Sequence, residues 1–374
     1  MVIHISDFMF SIDDKIIFER TGHVVSNRTV LAAMTNKQSH EDGTLSDNEI
    51  KWLTRRAKGG FGIVTTAATH VSKDGQGWDG EFGVFDDIHL SGLTELAKSL
   101  KENGALSIAQ IFHGGMRSPQ RLTGVQPISA SKNKCEESDN GFSRPASEED
   151  IYRLIHDFTA AAIRCSNSGF DGIELHGAHG YLICQFLGSK TNTRTDSWGG
   201  DICGRAKFLL HILRSIKSNV PDDFIIGVRI SPEIEKLGIN LHESIELTRI
   251  LRDEGIDFLH LSCWNSFSRA KCEPEDPRFI TEWFTDSVDN LPLVISTGGV
   301  WNFEDAKSII KQGADFVGVA RVGIAHPDWP KHITQEEYNP QRPPFTTLHL
   351  KEVELSDIFI DYMRAWDNFV KIGK

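Results

Sequence analysis

The stretch that decides the fold runs from residue 173 to residue 205 and reads IELHGAHGYLICQFLGSKTNTRTDSWGGDICGR. It opens as an apolar run with the composition of a fully buried parallel strand. His176, His179 and Tyr181 follow where that strand would end. Because barrel enzymes carry their chemistry at the C-terminal ends of the strands, we expect these three side chains to lie together in a site.

The spacing of these residues suits one kind of chemistry in particular. Two imidazoles three residues apart can direct N–H donors at a single oxygen atom, and a phenol beside them adds a proton donor. The pattern therefore predicts an oxyanion site with an acid next to it. Two alternatives stay open, namely a metal site that uses His176 and His179, and a purely structural Tyr181 in the core.

Short β-branched runs alternate with helical patterns through the chain. Eight such alternations predict a single-domain α/β fold, the (β/α)8 or TIM barrel. We expect an N-terminal segment over residues 1–26 with a hairpin that closes the barrel floor, a barrel over 27–330, and a tail over 331–374 that ends in a helix. The predicted strands are Thr29–Met34, Gly62–Thr66, Ser107–Phe112, Gly172–His176, Ile225–Ile230, Phe258–Ser262, Leu293–Thr297 and Phe316–Ala320. The helical patterns include Gly204–Lys217 and Ile358–Lys371, and a long loop over about Gly114–Pro145 follows the third strand.

Composition excludes several classes of partner. The 374 residues carry a formal net charge of −12, whereas a nucleic-acid-binding surface is basic. No apolar run approaches the ~18 to 20 residues of a membrane span, and the N-terminus lacks the basic start of a signal peptide. We expect a cytoplasmic protein with no nucleic-acid or membrane partner. Its six cysteines show no tight pair and are expected to be free thiols.

Glycine and arginine mark a candidate phosphate site after the last two predicted strands. Gly298 and Gly299 follow the seventh strand, and Ala320 and Arg321 follow the eighth. In barrels these two loops form a phosphate cradle, because glycines allow close backbone approach and an arginine supplies a bidentate cation. An ordinary glycine turn and a surface arginine are the alternative.

Two polar residues stand in strands that are otherwise apolar. Arg229 lies in the fifth predicted strand, where burial demands a partner such as Glu174 or a bound ligand. Gln110 lies near the end of the third strand and would project an amide into the barrel.

The stretch 173–205 resembles the signature of the old yellow enzyme family, which are FMN-dependent ene-reductases. The positions that match are His176, His179, Gly180, Tyr181, Leu182, Phe186, Leu187, Asn192, Arg194, Asp196, Gly199, Gly200 and Arg205. The resemblance implies non-covalent FMN at the barrel mouth, NADH or NADPH as reductant, and no metal. It also implies that Gly298, Gly299, Ala320 and Arg321 hold the FMN phosphate.

The resemblance further assigns residues to the flavin ring. Arg229 would lie under the pyrimidine, where its charge stabilises the anion that develops on reduction. Gln110 would bond the O2 and N3 edge, and the Thr35 hydroxyl would reach O4 and N5. Backbone groups of Ala33 and Ala68 would bond the ring edge.

The reaction implied is a ping-pong transfer of hydride from NAD(P)H, through flavin N5, to the Cβ of an electron-poor alkene such as an enone or nitroalkene. His176 and His179 would bind the carbonyl or nitro oxygen, and Tyr181 or water would protonate Cα. The expected partner is this small-molecule alkene, and self-association into a homo-oligomer is left open.

The chain also departs from the family pattern. Relatives with two histidines usually carry Cys and then Tyr in the first-strand segment, where this chain has Thr35 and Lys37. Cys203 and Gly204 replace the usual Glu-Asn before the last arginine of the motif. Lys37 leaves a second alternative open, which is an FMN-binding redox module with little ene-reductase activity. The first alternative, a metal-dependent barrel lyase or hydrolase, rests on His176 and His179.

Overall fold

A computed structural model describes residues 11–371 of the chain. Residues 1–10 of the predicted N-terminal segment and residues 372–374 of the predicted tail lie outside this range. The described strands are β1 (Ile16–Ile17), β2 (Val24–Val25), β3 (Thr29–Leu31), β4 (Ile63–Thr65), β5 (Thr69–His70), β6 (Leu106–Phe112), β7 (Ile128–Ser129), β8 (Arg144–Pro145), β9 (Gly172–Gly177), β10 (Ile225–Ile230), β11 (Phe258–Ser262), β12 (Leu293–Thr297) and β13 (Phe316–Val319).

Helices cover the outside of the barrel and form most of the C-terminal segment. Their bounds are α1 (Asp47–Lys58), α2 (Leu90–Glu102), α3 (Gln120–Thr123), α4 (Glu148–Asn167), α5 (Leu182–Leu187), α6 (Ile202–Lys217), α7 (Leu241–Asp253), α8 (Ile280–Ser287), α9 (Phe303–Lys311), α10 (Arg321–Ala325), α11 (Trp329–His332), α12 (Thr347–Glu352) and α13 (Asp357–Met363).

The barrel is a closed ring of parallel strands. The strands follow the order β3, β4, β6, β9, β10, β11, β12 and β13, and the pairing of β13 with β3 closes the ring. Helices connect successive strands, as right-handed parallel crossovers require. The predicted (β/α)8 barrel is confirmed. Among residues 11–371, no helix combines the length and apolar character needed to cross a membrane.

Apolar side chains fill the lower half of the barrel interior. One buried cluster joins residues from the N-terminal parts of the strands, including Ile108, Ile225 and Ile295. Below it the antiparallel strands β1 and β2 form a hairpin. Phe18 follows β1, is 2% exposed, and lies 6.1 Å from the ring of Phe316 and 6.2 Å from that of Phe258. The hairpin thus supplies the aromatic plug of the floor.

We expect Phe18→Ala to destabilise the barrel strongly. Loss of a buried phenyl ring costs ~3–5 kcal/mol, because the apolar contacts vanish and the cavity collapses only in part. Ile17→Ala is the matched control, since Ile17 is 54% exposed and a surface change of this kind stays within ~0.5 kcal/mol. Urea unfolding followed by tryptophan fluorescence measures both. Equal midpoints for the two variants would show that the hairpin does not support the floor.

Three predicted boundaries differ from the structure by two or more residues. The first barrel strand ends at Leu31 rather than Met34, since beyond Ala32 the chain leaves the sheet and Asn36 bonds Glu49 instead. α6 begins at Ile202, before the predicted Gly204, because the side chain of Asp201 caps it. The last helix, predicted to span Ile358–Lys371, ends at Met363, and a left-handed residue follows at Asn368.

The C-terminal segment packs back onto the barrel. The ring of Phe359 in α13 lies 5.2 Å from Trp52 in α1. Arg56, fully buried in the same helix, donates to the carbonyl of Val353 over 2.8 Å. The Ser356 hydroxyl donates to Gln38 in the loop after β3 over 2.6 Å, which brings the segment to the end of the barrel where the strands terminate.

Candidate active site

His176 lies near the end of β9 and is 3% exposed. Its Nδ1 accepts a hydrogen bond of 3.3 Å from the backbone N–H of Ala178, so the ring proton resides on Nε2. Burial lowers the pKa of His176 well below its ordinary value, and the neighbouring His179 and Arg229 lower it further. The ring is therefore a neutral imidazole that offers an Nε2–H donor.

His179 follows with a left-handed backbone, φ 60°, which turns its ring back toward His176. The ring centroids are 5.0 Å apart and nearly perpendicular. Nε2 of His179 lies 2.7 Å from the Ser262 hydroxyl, which accepts from Arg229 over 3.0 Å. Because that oxygen already accepts from Arg229, its own hydrogen can go to Nε2, which leaves the proton of His179 on Nδ1. Desolvation by the surrounding side chains lowers the pKa of His179 as well, although the residue borders solvent at the mouth, and the charges of Arg229 and Arg117 lower it further.

Tyr181 completes the predicted group. Its ring lies 4.9 Å from His176 and 5.0 Å from Phe112, in edge-to-face contacts. The hydroxyl makes no hydrogen bond to any residue in the described range, whereas a structural core tyrosine would bond its hydroxyl to the backbone. Burial raises the pKa of Tyr181, so the phenol stays protonated at neutral pH and can donate.

Arg117 is a neighbour of this group that the sequence reasoning missed. Its guanidinium lies 4.6 Å from the centre of the Tyr181 ring and donates to the carbonyl of His179 over 2.7 Å. Nothing marked it in the sequence except its place in the long loop after the third strand.

Arg229 lies beside His176 in the register of β10 and β9. It donates to the carbonyl of Ala33 over 3.3 Å and to Ser262, and its buried Nε has no hydrogen-bond partner among the described residues. It makes no direct ion pair with Glu174, which instead binds His260. Arg229 is therefore a buried cation at the open mouth of the barrel with one unsatisfied N–H donor. Such a donor suits a hydrogen bond to a bound ligand.

The other residues that the sequence predicts to contact the flavin ring lie at the same mouth of the barrel. Gln110 is 1% exposed, and its backbone N–H donates to the Thr66 hydroxyl. Ala33 and Thr35 are half-buried in the loop after β3, while Ala68 is buried in the loop after β4. The structure thus brings these backbone and side-chain groups to one end of the barrel, next to Arg229.

A cavity of about 520 Å³ opens beside the ends of β12 and β13. Its lining is Trp264, Asn265, Phe267, Gly299, Trp301, Arg321, Arg342 and Pro343. Gly298 lies so near the carbonyl of Cys263 that a Cβ would sit 2.3 Å from its oxygen, and Gly299 has a φ of 79°. Only glycine fits this turn.

The charge of the cavity suits a phosphate. Arg321, at the start of α10 directly after Ala320, is exposed and makes no hydrogen bond or ion pair with the described residues. Arg342 stacks on Trp301 at 4.9 Å and comes from the C-terminal segment, so sequence reasoning did not place it here. The glycine turn and the unpaired Arg321 would suit the phosphate of FMN, and the orphan Nε of Arg229 would suit a polar atom of its ring.

Lys37 lies at the rim of this mouth. Its backbone is left-handed, φ 58°, and its amine lies 5.3 Å from the ring of Tyr362 in α13. Tyr362 is one of the groups that raise the pKa of Tyr181, which places the C-terminal helix close to the site. No pattern in the sequence pointed to Tyr362 as part of the site. Among residues 11–371, no three His, Cys, Asp or Glu side chains are grouped to hold a metal ion.

Comparison with known proteins agrees with this geometry. The sequence profile of the NADH:flavin oxidoreductase / NADH oxidase family matches residues 21–339. A probable NADH-dependent flavin oxidoreductase, YqiG of Bacillus subtilis, is 34% identical over 317 residues, which are 83% of this chain and 84% of that protein. The NADH:acrylate oxidoreductase of Vibrio harveyi is 34% identical over 88% of this chain, but the chain spans only 34% of its length.

The fold agrees with solved structures as well. The old yellow enzyme homologue from Zymomonas mobilis superimposes with a TM-score of 0.79, at 23% identity, over 94% of this chain and 99% of that one. The family profile favours a flavin site over a metal site. The chain therefore belongs to the NADH:flavin oxidoreductase / NADH oxidase family, the old yellow enzymes, and is an oxidoreductase that uses FMN with NADH or NADPH.

Proposed function

We propose that the protein reduces the carbon–carbon double bond of an electron-poor alkene, an enone or a nitroalkene, in a ping-pong cycle. The observation that carries this proposal is the grouping of two neutral imidazoles and an unbonded phenol beside Arg229. Bound FMN would supply the hydride, taken from NADH or NADPH at N5 and passed to Cβ of the alkene.

The residues of the chain supply the rest of the chemistry. Nε2–H of His176 and Nδ1–H of His179 would donate to the substrate oxygen and stabilise the negative charge that develops there. Preorganised donors of this type are worth ~100- to 1,000-fold each. Tyr181, protonated and 4.9 Å from His176 between ring centroids, would then protonate Cα. Arg229 would hold the negative charge of the reduced cofactor.

The double variant His176→Ala with His179→Ala tests the oxygen site directly. Phenols such as 4-hydroxybenzaldehyde should bind wild-type protein as phenolates and give a broad charge-transfer band at long wavelength. We expect the double variant to keep FMN but to lose this band, because both donors are gone. Absorbance titration with the phenol measures the effect. Reduction of 2-cyclohexenone should fall at least ~100-fold.

Two exposed histidines provide the control. The variant His156→Ala with His242→Ala removes side chains that are 81% and 60% exposed, and the band should survive. A band that persists in the active-site variant would place the ligand oxygen elsewhere. Wild-type protein that binds FMN but does not turn over 2-cyclohexenone with NADPH would instead support the redox-module alternative.

A further inference from the structure

A layer of polar side chains crosses the barrel interior directly above the apolar floor. It contains Gln110, Glu174, His260 and Thr297, which are between 0% and 6% exposed. They come from β6, β9, β11 and β12, so the contact between Glu174 and His260 passes over β10 and must run through the interior. Neither Glu174 nor His260 has a role in the chemistry described above.

Three hydrogen bonds connect this layer. Gln110 Nε2 donates to Glu174 Oε1 over 2.5 Å, and His260 Nδ1 lies 2.5 Å from Glu174 Oε2. His260 Nε2 lies 2.7 Å from the Thr297 hydroxyl. Gly318 makes room for this arrangement, since a Cβ there would sit 1.7 Å from Thr297 Oγ1.

The direction of each bond follows from the charge of Glu174. Burial raises the pKa of this carboxyl, but His260, Arg229 and the Gln110 amide outweigh burial, and the pKa lies below its ordinary value. A carboxylate only accepts, so His260 carries its proton on Nδ1. Burial lowers the pKa of His260, which is therefore neutral, and its Nε2 accepts from the Thr297 hydroxyl.

This pattern fixes which end of the Gln110 amide meets the mouth. Its nitrogen donates one of its two hydrogens to Glu174, while its carbonyl Oε1 has no hydrogen-bond partner among residues 11–371. An acceptor in this position suits the N3–H donor of a flavin ring. The negative charge of Glu174 also acts on Arg229 and offsets part of its positive charge.

We propose that Glu174, held in place by His260, is a positioning residue that presents the Gln110 carbonyl to N3–H of FMN and lowers the midpoint potential of the bound cofactor. The proposal rests on the placement of the flavin ring against Gln110 and Arg229. Its physical basis is that a carboxylate near Arg229 weakens the stabilisation of the anionic reduced flavin relative to the oxidised one.

Glu174→Gln removes the charge and keeps the shape. We expect the midpoint potential of bound FMN to rise by at least ~30 mV. For a two-electron couple this shift favours reduced over oxidised FMN tenfold more than in wild type. Arg229→Met should move the potential in the opposite direction. Asp171→Asn, which removes a buried carboxylate just before the same strand at the floor, should leave it unchanged. Spectroelectrochemical titration measures all three.

The orientation of the amide has its own readout. In protein loaded with FMN labelled with 15N at N3, the N3–H proton should resonate downfield in wild type and move upfield in Glu174→Gln. Glu174→Asp is the alternative variant if Glu174→Gln does not bind FMN. The shorter aspartate side chain keeps the negative charge but no longer reaches the Gln110 amide. It should shift the N3–H resonance and leave the potential near the wild-type value.

The outcomes separate the possible failures. A potential that falls in Arg229→Met but does not rise in Glu174→Gln would overturn the role of Glu174 while leaving the flavin placement intact. Potentials unchanged in both variants would overturn the placement of the ring against Arg229 and this proposal with it. An unchanged N3–H resonance in Glu174→Asp would overturn the assignment of the Gln110 carbonyl.

Discussion

Arg321→Glu is expected to give a folded protein that has lost most of its FMN. Arg321 lines the cavity after β13 and has no partner among the described residues, so its charge is available to a phosphate. Loss of a charge-assisted hydrogen bond costs ~1.5–3 kcal/mol, and repulsion by the new carboxylate adds a similar amount. The combined ~3–6 kcal/mol corresponds to ~100- to 10,000-fold weaker binding. Flavin absorbance after gel filtration, with circular dichroism for the fold, measures the result.

Two further variants show whether the charge of Arg321 alone accounts for the loss of FMN. Lys51→Glu makes the same charge reversal on the exposed face of α1 and should retain FMN. Arg321→Lys keeps the charge but loses the two-pronged geometry, and its FMN affinity should fall between those of wild type and Arg321→Glu. If Arg321→Glu retained FMN fully, the phosphate would have to bind outside the cavity.

Tyr181→Phe is expected to slow only the second half of the catalytic cycle. The substitution keeps the ring contacts with His176 and Phe112 and breaks no hydrogen bond, because the hydroxyl has no protein partner in the described range. Reduction of FMN by NADPH should therefore be unchanged. Oxidation of the reduced enzyme by an enone should slow ~100- to 10,000-fold, the usual contribution of a positioned acid.

The nitroalkene provides an internal comparison. Its reduction releases a nitronate without a proton in the same step, so Tyr181→Phe should have a minor effect on it. Tyr152→Phe, at a tyrosine that is 53% exposed, controls for the loss of a hydroxyl elsewhere. Stopped-flow oxidation by both substrates is the measurement. Equal and small effects on the two would assign Tyr181 to packing and the proton to water.

The main features of the fold and the motif residues could be predicted from the sequence. The alternation of apolar runs and helical patterns is a local property, and eight repeats of it leave few architectures other than a closed barrel. His176, His179 and Tyr181 are close in sequence, so their grouping at a strand end needs only the position of that end. Arg229 was singled out because a charged residue in an apolar strand needs a partner wherever the strand lies.

The ends of the strands and helices were predicted less accurately, because they depend on hydrogen bonds made by individual side chains. The exit of the chain after Leu31 reflects a bond between Asn36 and Glu49, and the start of α6 reflects the cap by Asp201. The partners of buried polar groups could not be predicted at all. The sequence suggests Glu174 as a partner of Arg229, yet Glu174 binds His260, which comes from a strand two places away in the barrel.

The sequence by itself determined the barrel and the grouping of two histidines and a tyrosine at one strand end and of two glycines at another, since each grouping rests on residues within one local segment. Only the tertiary structure decided that Ser262 orients His179, that Arg117 lies over Tyr181, and that Arg342 and Tyr362 reach the mouth from the C-terminal segment. These pairs are separated along the chain and meet only once the ring has closed, because the stagger between strands sets which side chains face each other across the interior.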